Sequence, residues 1–290
     1  MIKKAIILCG GTGSRMYPTT LAINKQLIPV YDKPMFFYPL SLLMLCGIKE
    51  YLFIINPGQK EKFQDLLEPT NDLGIKIEYI EQSEPNGLPE AFILGENFIG
   101  NDSVALILGD NFLYGNMLTP LIKKSFNLSN GANIYLYPNK NTSAYGVVEL
   151  GKDNKIKKIV EKPKYTKSNL VIVGLYTFDK DVSKYAKTLK PSKRKELEMV
   201  DLINIYKKKE TLNLIKLGRG AAWLDVGNFD DLHSVSNFVK NIEDRQSYKI
   251  GCLEEISLNN GWIIKKNIQN RIKKYKNSIY SKYLNTIIRG

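Results

Sequence analysis

The chain has 290 residues, of which 43% are hydrophobic and 24% are charged, a balance that excludes an intrinsically disordered chain and allows a sizeable core. There are 42 Lys and Arg residues against 29 Asp and Glu residues, so the formal net charge is +13, and this excess alone would favour a polyanionic or phosphorylated partner. The longest nearly charge-free stretch, residues 35–48, is shorter than the roughly 20 apolar residues that a transmembrane helix needs.

The first half of the chain alternates short apolar runs with helical patterns. Four runs are predicted as strands, namely Lys3–Cys9, Tyr51–Asn56, Ile75–Glu81 and Val104–Leu108. Helices are predicted between them at Met35–Cys46, Gln59–Glu68 and Pro89–Phe98. This β-α-β-α-β-α-β order is typical of parallel strands joined by crossover helices, so it predicts a doubly wound α/β sheet.

After about residue 138 the pattern becomes rich in strands. Strands are predicted at Gly146–Leu150, Lys155–Glu161, Leu170–Phe178 and Leu212–Leu217, and helices at Leu197–Lys208 and Phe229–Ile242. Because only turns separate the first three strands, this half is expected to add antiparallel strands to the sheet. We therefore predict a catalytic domain at residues 1–245 and a small, mostly helical extension at residues 246–290 that packs on it.

The positive charge is concentrated in the last part of the chain. From Lys265 to Arg289 there are Lys and Arg residues but no acid, interleaved with apolar residues as in an amphipathic helix with a solvated face. We therefore expect neither a nucleic-acid partner nor a membrane partner.

Cysteine usage indicates the compartment. Cys9, Cys46 and Cys252 are odd in number, lack C-x-x-C spacing and have no histidine cluster as a companion. These features argue against a disulfide framework and against zinc, and they favour the reducing cytoplasm.

A glycine-rich turn follows the first predicted strand. The segment Gly10-Gly11-Thr12-Gly13 comes shortly before Arg15, and Lys25 lies further along the chain. Backbone N–H groups of such a turn can approach phosphates, and two cations can neutralise a polyphosphate. The turn lacks the lysine of a Walker loop and the third glycine of a dinucleotide fingerprint, so it is neither of these. For this segment alone, a tight turn with two surface cations is the alternative interpretation.

Two aspartates follow β-like stretches. Asp110 comes just after the run Val104–Leu108, and Asp225 follows Ala222-Trp223-Leu224. Carboxyl ends of strands carry ligand-handling side chains in open α/β sheets, and paired carboxylates suit Mg²⁺ and phosphate chemistry. For either aspartate alone, a turn cap is an equally good interpretation. In a third feature, Glu161-Lys162-Pro163, the proline stops a strand and leaves Lys162 at its end.

Together these segments resemble the sugar nucleotidylyltransferases, and within them the thymidylyltransferases. The resemblance is carried by Gly10-Gly11-x-Gly13-x-Arg15-x-x-Pro18, Lys25-Gln26-Leu27-x-Pro29-Val30, Leu108-Gly109-Asp110-Asn111, Tyr145-Gly146-x-x-Glu149, Glu161-Lys162-Pro163 and Trp223-x-Asp225. These motifs, with others between them, cover nearly the whole chain in order. The resemblance implies a Rossmann-like three-layer α/β/α sandwich with a mostly parallel mixed central sheet.

The reaction that this resemblance implies is the Mg²⁺-dependent transfer of dTMP from dTTP to glucose 1-phosphate, which gives dTDP-glucose and pyrophosphate. It would be the first step of dTDP-sugar biosynthesis of the dTDP-rhamnose type. Such an in-line displacement depends mainly on positioning and charge neutralisation. The partners implied are dTTP and a sugar 1-phosphate, in a cytoplasmic homotetramer regulated at a second nucleotide site.

The family's functional residues fall on matching positions of this chain. By that analogy Arg15 and Lys25 would hold the triphosphate, Asp110 and Asp225 would hold Mg²⁺, and Lys162 would hold the sugar phosphate. Nucleotide contacts are expected at Leu8, Gly10, Gly11, Gly13, Gln26, Gln82, Pro85 and Gly87. Sugar contacts are expected at Leu88, Tyr145, Gly146, Glu161, Ile172 and Arg194. Regulatory contacts are expected at Tyr114, Gly115, Gly218, Arg219, Gly220, Arg245, Glu255 and Ile256.

The chain also departs from the family. Val173, Val200 and Val226 stand where the family usually has Thr, and Asn228 replaces another Thr. Each valine removes a hydroxyl, so we expect polar contacts near the sugar and metal to be lost and the choice of sugar to be relaxed or changed. Two alternatives therefore stay open: a thymidylyltransferase for a different sugar 1-phosphate, and a catalytically silent nucleotide-sugar-binding protein.

Overall fold

The computed structural model describes residues 1–289, in which strands and helices alternate along the chain. The strands are β1 (Lys4–Cys9), β2 (Pro29–Val30), β3 (Lys33–Pro34), β4 (Glu50–Ile55), β5 (Lys76–Glu81), β6 (Val104–Leu108), β7 (Asn111–Tyr114), β8 (Ala132–Pro138), β9 (Gly146–Leu150), β10 (Ile156–Glu161), β11 (Leu170–Phe178), β12 (Leu212–Lys216) and β13 (Ala222–Asp225). The helices are α1 (Thr19–Ala22), α2 (Phe37–Leu45), α3 (Lys60–Leu67), α4 (Glu90–Leu94), α5 (Glu96–Ile99), α6 (Leu118–Ser125), α7 (Val182–Ala186), α8 (Met199–Lys208), α9 (Phe229–Gln246), α10 (Leu253–Asn259), α11 (Lys265–Tyr275) and α12 (Ile279–Arg289).

A mixed sheet forms the centre of the molecule. Its order is β10-β9-β11-β6-β1-β4-β5, and β8 joins it by pairing with both β11 and β12. The strand β1 is parallel to β4 and to β6, with Lys4 opposite Glu50 on one side and Val104 on the other. The strand β11 is antiparallel to β6. The predicted doubly wound sheet with added antiparallel strands is therefore confirmed.

Helices cover both faces of this sheet. Side chains alternate along a strand, so Ala5 and Ile7 of β1 belong to one apolar core, which also contains residues of α2 and α10. Ile6 and Leu8 belong to a second core, which contains residues of α4 and α8. Two cores on opposite faces make the three-layer α/β/α arrangement that the resemblance implies.

Some predicted elements differ from those observed. The predicted helix Pro89–Phe98 is two short helices, α4 and α5, which meet at Gly95. A Cβ at Gly95 would lie 2.9 Å from the Ala91 carbonyl oxygen and 2.9 Å from Leu52 Cδ2 of β4, so a glycine is required where the two helices meet against the sheet. Strands β7 and β8 were not predicted, and α9 continues four residues beyond its predicted end, Ile242. Most other boundaries differ by one or two residues.

The C-terminal helices α10, α11 and α12 share a small apolar cluster that includes Cys252, Ile268 and Leu284. Arg271 of α11 anchors them to the core, because its side chain is 1% exposed and its Nη2 donates a hydrogen bond of 2.5 Å to the Leu67 carbonyl at the end of α3. The division at residue 245 stays a prediction. Within residues 1–289, every helix is too short or too polar to cross a membrane.

Candidate active site

A cavity of about 350 Å³ opens where the parallel strands β1 and β6 end. Leu8 and Gly10 line it from the end of β1, and Leu108 and Asp110 line it from the end of β6. Gly146 of β9 contributes from the antiparallel part of the sheet. The cavity therefore lies at the carboxyl edge of the strands, where open α/β sheets bind ligands.

Most of the catalytic, nucleotide and sugar residues expected from the sequence line this one cavity. They are Leu8, Gly10, Gly11, Arg15, Gln82, Pro85, Gly87, Leu88, Asp110, Tyr145, Gly146, Glu161, Lys162, Ile172, Arg194 and Asp225. Three expected residues lie outside its wall. Lys25 is directly behind the wall, ion-paired with Asp110, and Gln26 Nε2 is 3.5 Å from the Gly10 carbonyl oxygen. Gly13 lies outside the cavity, where its carbonyl accepts a hydrogen bond of 2.8 Å from Thr20 Oγ1.

The glycine-rich turn is held in place by a side chain from the neighbouring strand. Asn56 follows β4, and its amide makes two hydrogen bonds of 2.9 Å with Gly11, one to the carbonyl and one from the N–H. Gly11 has φ of 102°, a conformation that side-chain-bearing residues rarely adopt. Sequence reasoning missed Asn56, although its place at the end of a predicted strand beside β1 was the available signal.

Asn111 joins the two predicted metal ligands. Its Nδ2 donates hydrogen bonds to Asp110 Oδ1 at 3.0 Å and to Asp225 Oδ1 at 3.2 Å. Its Oδ1 accepts from Gly174 N at 3.1 Å and from Trp223 Nε1 at 2.7 Å, and the residue is 1% exposed. Every hydrogen-bonding group of this amide is therefore used. Neither Asn111 nor Trp223 was predicted as a site residue from the sequence, although both lie within the motifs that carry the resemblance.

The strands β7 and β13 bring these residues together. They form a separate antiparallel ribbon in which Asn111 faces Asp225 at one end and Tyr114 faces Ala222 at the other. Burial, and after it the Asp110 carboxylate, raise the pKa of Asp225 to about 7, while Lys25 and Arg15 oppose the rise. Two carboxylates are thus held close together in a partly buried place, where a cation would stabilise both.

The donor set fits a hard divalent cation. Carboxylate oxygens are its preferred protein ligands, and such an ion commonly takes its remaining ligands from water and substrate phosphates. Lys25 pairs with Asp110, but Asp225 has no ion-pair partner within residues 1–289. Among residues 1–289, no group of three or more His, Cys, Asp or Glu side chains is placed to hold a metal. Because Asn111 bridges their carboxylates at the cavity, Asp110 and Asp225 are the candidate metal site of the described chain.

Aromatic and small residues form another part of the cavity wall. Tyr145 packs edge-to-face against Trp223 with ring centroids 4.9 Å apart. A Cβ at Gly146 would lie 3.1 Å from Val200 Cγ2 and 3.4 Å from Glu161 Oε2, so this glycine keeps the space between them open. Burial, and to a smaller extent the carboxylates Glu198 and Glu196, raise the pKa of Glu161, although Lys162 and Arg194 lower it.

The four residues that depart from the family lie in different surroundings. Val200 lines the cavity. Val173 is 0% exposed and Val226 is 1% exposed, and both belong to apolar clusters instead of the cavity wall. Asn228 is the N-cap of α9 and accepts a hydrogen bond of 2.9 Å from Asp231 N. Of the three expected losses of a hydroxyl, only the one at position 200 therefore falls on the wall of the cavity.

A second cavity, of about 310 Å³, lies between β7, α2 and the residues around α10. Four of the expected regulatory residues line it, namely Tyr114, Gly115, Glu255 and Ile256. The other four, Gly218, Arg219, Gly220 and Arg245, do not. Gly220 is nevertheless adjacent, because a Cβ at Gly115 would lie 2.6 Å from its carbonyl oxygen. Arg245 precedes Gln246, whose Oε1 accepts a hydrogen bond of 3.4 Å from the Tyr114 hydroxyl.

Known proteins are similar to this chain in sequence and in fold. Residues 4–242 match the family model described as Nucleotidyl transferase. A glucose-1-phosphate thymidylyltransferase from Neisseria gonorrhoeae is 45% identical over 281 residues, which are 97% of this chain and 98% of the relative. One from Mycolicibacterium smegmatis is 44% identical over 97% of each chain. Among solved structures, a Bacillus anthracis protein provisionally named as the same enzyme, in complex with a sucrose, matches with a TM-score of 0.75 and 34% identity. The match covers 81% of this chain and 94% of that chain.

Proposed function

The chain belongs to the nucleotidyl transferase family, and on that premise we propose that it transfers dTMP from dTTP to glucose 1-phosphate and releases pyrophosphate. The observation that carries the proposal is the convergence of a glycine-rich turn, two carboxylates and several cations on one cavity. Relatives named for this activity match almost from end to end, which supports the same nucleotide and sugar here.

The nucleotide would lie on the turn at Gly10–Gly13. Backbone N–H groups of the turn can receive phosphate oxygens, and Arg15 lies at the cavity wall beside it. Gln82 and Gly87 would contact the thymine base. The Gln82 side-chain oxygen is 3.2 Å from a Cβ built at Gly10, so this base contact would lie next to the turn that receives the phosphates. Gly87 has φ of 104° and packs so closely on Leu197 that a Cβ would lie 2.1 Å from its carbonyl oxygen. A side chain at position 87 would therefore push the two loops apart.

Nucleotidyl transferases generally use a divalent metal, and we infer that Asp110 and Asp225 hold Mg²⁺. When bound there, Mg²⁺ would neutralise charge on the phosphate oxygens. Asn111 fixes the two carboxylates relative to each other. Lys25, paired with Asp110, is the cation closest to this pair and would hold the triphosphate.

The displacement needs no general base. An oxygen of the sugar phosphate is already anionic, so it can form the new bond to the α-phosphorus as the bond to the β-phosphate oxygen breaks and pyrophosphate takes the electron pair. Lys162, at the sugar end of the cavity, would hold the attacking phosphate, and Arg15 would receive the charge of the leaving group. The single histidine, His233, is exposed on α9 and bonded to Asn237, outside the cavity.

We also propose that the second cavity binds a regulatory ligand that resembles the product of the reaction. We propose a nucleotide sugar as its occupant, with Tyr114 and Glu255 among its contacts, in a homotetramer that carries out the first step of dTDP-sugar synthesis. These assignments are supported by the resemblance of the motifs and by the shared place of four expected residues.

The test is pyrophosphate release by the purified protein with Mg²⁺, dTTP and one sugar 1-phosphate at a time, in the glucose, galactose, glucosamine and N-acetylglucosamine series. We expect the fastest release with glucose 1-phosphate and none from a folded Asp225→Asn variant. Preference for another sugar would favour the alternative thymidylyltransferase and would direct attention to Val200. No release with any sugar would favour a silent nucleotide-sugar-binding protein.

A further inference from the structure

The loop that precedes α8 closes one side of the sugar end of the cavity. Within it the Ser192 hydroxyl accepts a hydrogen bond of 3.1 Å from Arg194 N and donates one of 2.5 Å to Glu198 Oε1. The loop also reaches the nucleotide end, because Leu197 N donates to the Asn86 carbonyl at 2.7 Å. One short segment thus contacts both ends of the cavity.

Arg194 is held by Glu198 through two hydrogen bonds. Its Nε donates to Glu198 Oε1 at 3.1 Å and its Nη2 donates to Glu198 Oε2 at 2.5 Å, which is the bidentate geometry that fixes a guanidinium plane. The Glu198 side chain is 10% exposed, whereas the Arg194 side chain is 40% exposed. The acid is therefore the buried anchor, and the arginine extends from it into the cavity.

A second carboxylate competes for the same guanidinium. Glu161 Oε1 lies 3.5 Å from Arg194 Nη2, beyond a good hydrogen bond but within the range of an ion pair. Glu161 is one of the expected sugar contacts, and its carboxylate oxygens can accept hydrogen bonds from sugar hydroxyls. If Glu198 did not hold Arg194, the guanidinium would be free to shorten its contact with Glu161 to a hydrogen bond and occupy that acceptor.

We propose that Glu198 is a positioning residue that holds Arg194 toward the phosphate of the sugar 1-phosphate and keeps Glu161 open to the sugar hydroxyls. This inference rests on the proposed function, since it takes Arg194 and Glu161 as contacts of a bound sugar 1-phosphate, the first for its phosphate and the second for its hydroxyls. In this proposal Glu198 and Glu161, two acids of one cavity, have different roles. The buried acid neutralises the arginine in the absence of substrate, and the more accessible acid recognises the sugar.

The first test separates the two substrates. Glu198→Gln keeps the shape of the side chain but removes its charge, so we expect KM for the sugar 1-phosphate to rise roughly tenfold or more, as for loss of a charged hydrogen bond, while KM for dTTP stays within about twofold. A matched control is Glu196→Gln, because Glu196 Oε2 is 3.9 Å from Arg194 Nη2 and makes no hydrogen bond to it within residues 1–289. This control should change KM for the sugar 1-phosphate by less than about twofold. Equal rises in both KM values for Glu198→Gln would show that Glu198 only supports the loop and would overturn the inference.

The second test is a double-mutant cycle with Arg194→Ala. If Glu198 acts through Arg194, then Glu198→Gln should have little further effect on KM for the sugar 1-phosphate in the Arg194→Ala background. Additive effects would contradict the proposal. Thermal unfolding of each variant would confirm that folded proteins are compared.

A binding measurement distinguishes this inference from the proposed function. Calorimetric titration of glucose 1-phosphate, with a dTTP analogue that cannot be cleaved between the α- and β-phosphates, needs no turnover. Weakened binding by Glu198→Gln in a protein that releases no pyrophosphate would overturn the proposed function alone. Unchanged binding would overturn the inference alone, and no binding by the unaltered protein would overturn both.

Discussion

Asn111 faces Asp225 across the β7–β13 ribbon and donates a hydrogen bond of 3.2 Å to its carboxylate. Because the same amide group also donates to Asp110, the positions of the two carboxylates depend on one buried side chain. The spacing of the candidate metal site is therefore set by the ribbon and by this one amide.

Replacing that amide should weaken the metal site. Asn111→Ala frees both carboxylates, so we expect the Mg²⁺ concentration for half-maximal pyrophosphate release to rise about tenfold to a hundredfold, as for other residues that orient metal ligands. It also leaves Trp223 Nε1 and Gly174 N without their acceptor, which should cost about 1–3 kcal/mol of stability for each buried group.

Asn133→Ala is the matched control, because Asn133 is a buried amide of the β8–β11 region that bonds to Ser125 and Thr177. It should lower the melting temperature without changing the Mg²⁺ dependence, and an equal Mg²⁺ effect in both variants would contradict this role of Asn111.

Glu161 should show a conflict between stability and function. Burial is the main cause that raises its pKa in the folded protein, so the ionised carboxylate is less favourable folded than unfolded. This free-energy penalty is absent at pH values below the pKa of Glu161 in the unfolded chain. It grows as the pH rises through the higher pKa that Glu161 has in the folded protein. Glu161→Gln should therefore raise the melting temperature at pH 7 more than at pH 4, while kcat/KM for the sugar 1-phosphate falls by about tenfold or more through loss of an acceptor for hydroxyls. Melting curves at both pH values and steady-state kinetics check this, and a larger gain at pH 4 would refute it.

Val200 should affect the choice of sugar. Val200→Thr places a hydroxyl on the cavity wall beside Gly146, so the ratio of kcat/KM for glucose 1-phosphate to that for its deoxy analogues should change by about tenfold. Val173→Thr and Val226→Thr are matched controls, because those side chains are buried away from the cavity. They should leave the sugar ratio unchanged and cost about 1–3 kcal/mol through burial of an unpaired hydroxyl. The same shift in all three variants would remove Val200 from sugar selection.

Arg271 should control the attachment of the C-terminal helices. Arg271→Met keeps the length of the side chain but leaves the carbonyls of Leu66 and Leu67 without their buried donor, so we expect a loss of about 1–3 kcal/mol for each carbonyl. Lys273, exposed on the same helix, gives the control Lys273→Met, which should change stability by less than about 0.5 kcal/mol. Limited proteolysis followed by mass spectrometry would show whether cleavage begins near residue 246 in Arg271→Met. Cleavage first in the central sheet would contradict an extension that detaches on its own.

Local sequence patterns were sufficient where a single strand determines the position of a residue. The runs that became β1 and β6 are apolar and each is followed by a glycine, so the placement of Gly10 and Asp110 at the carboxyl edge of the sheet followed from them. The strand β7 has only four residues, too few for a periodic pattern to identify, and its partner lies more than 100 residues away. The bridging role of Asn111 depends on that long-range register, and so it could not be predicted from the sequence.

Side chains that position another part of the site were harder to predict. Asn56 was predicted as the end of a strand, but its bonds to Gly11 depend on the register between β4 and β1. Glu198 was placed inside a predicted helix, whereas its backbone is extended and α8 begins after it. The pattern identified the helix, but only the folded loop shows which arginine the acid holds.

The β7–β13 ribbon connects the two cavities over a very short distance. Asn111 at one end belongs to the candidate active site, and Tyr114 at the other lines the second cavity, three residues and about 10 Å away along one strand. Thermodynamic linkage makes any coupling across it reciprocal. If a ligand beside Tyr114 weakens the binding of substrate or Mg²⁺ by some factor, then substrate and Mg²⁺ weaken the binding of that ligand by the same factor. A high concentration of substrate would then promote dissociation of such a regulator, although the substrate binds in a different cavity.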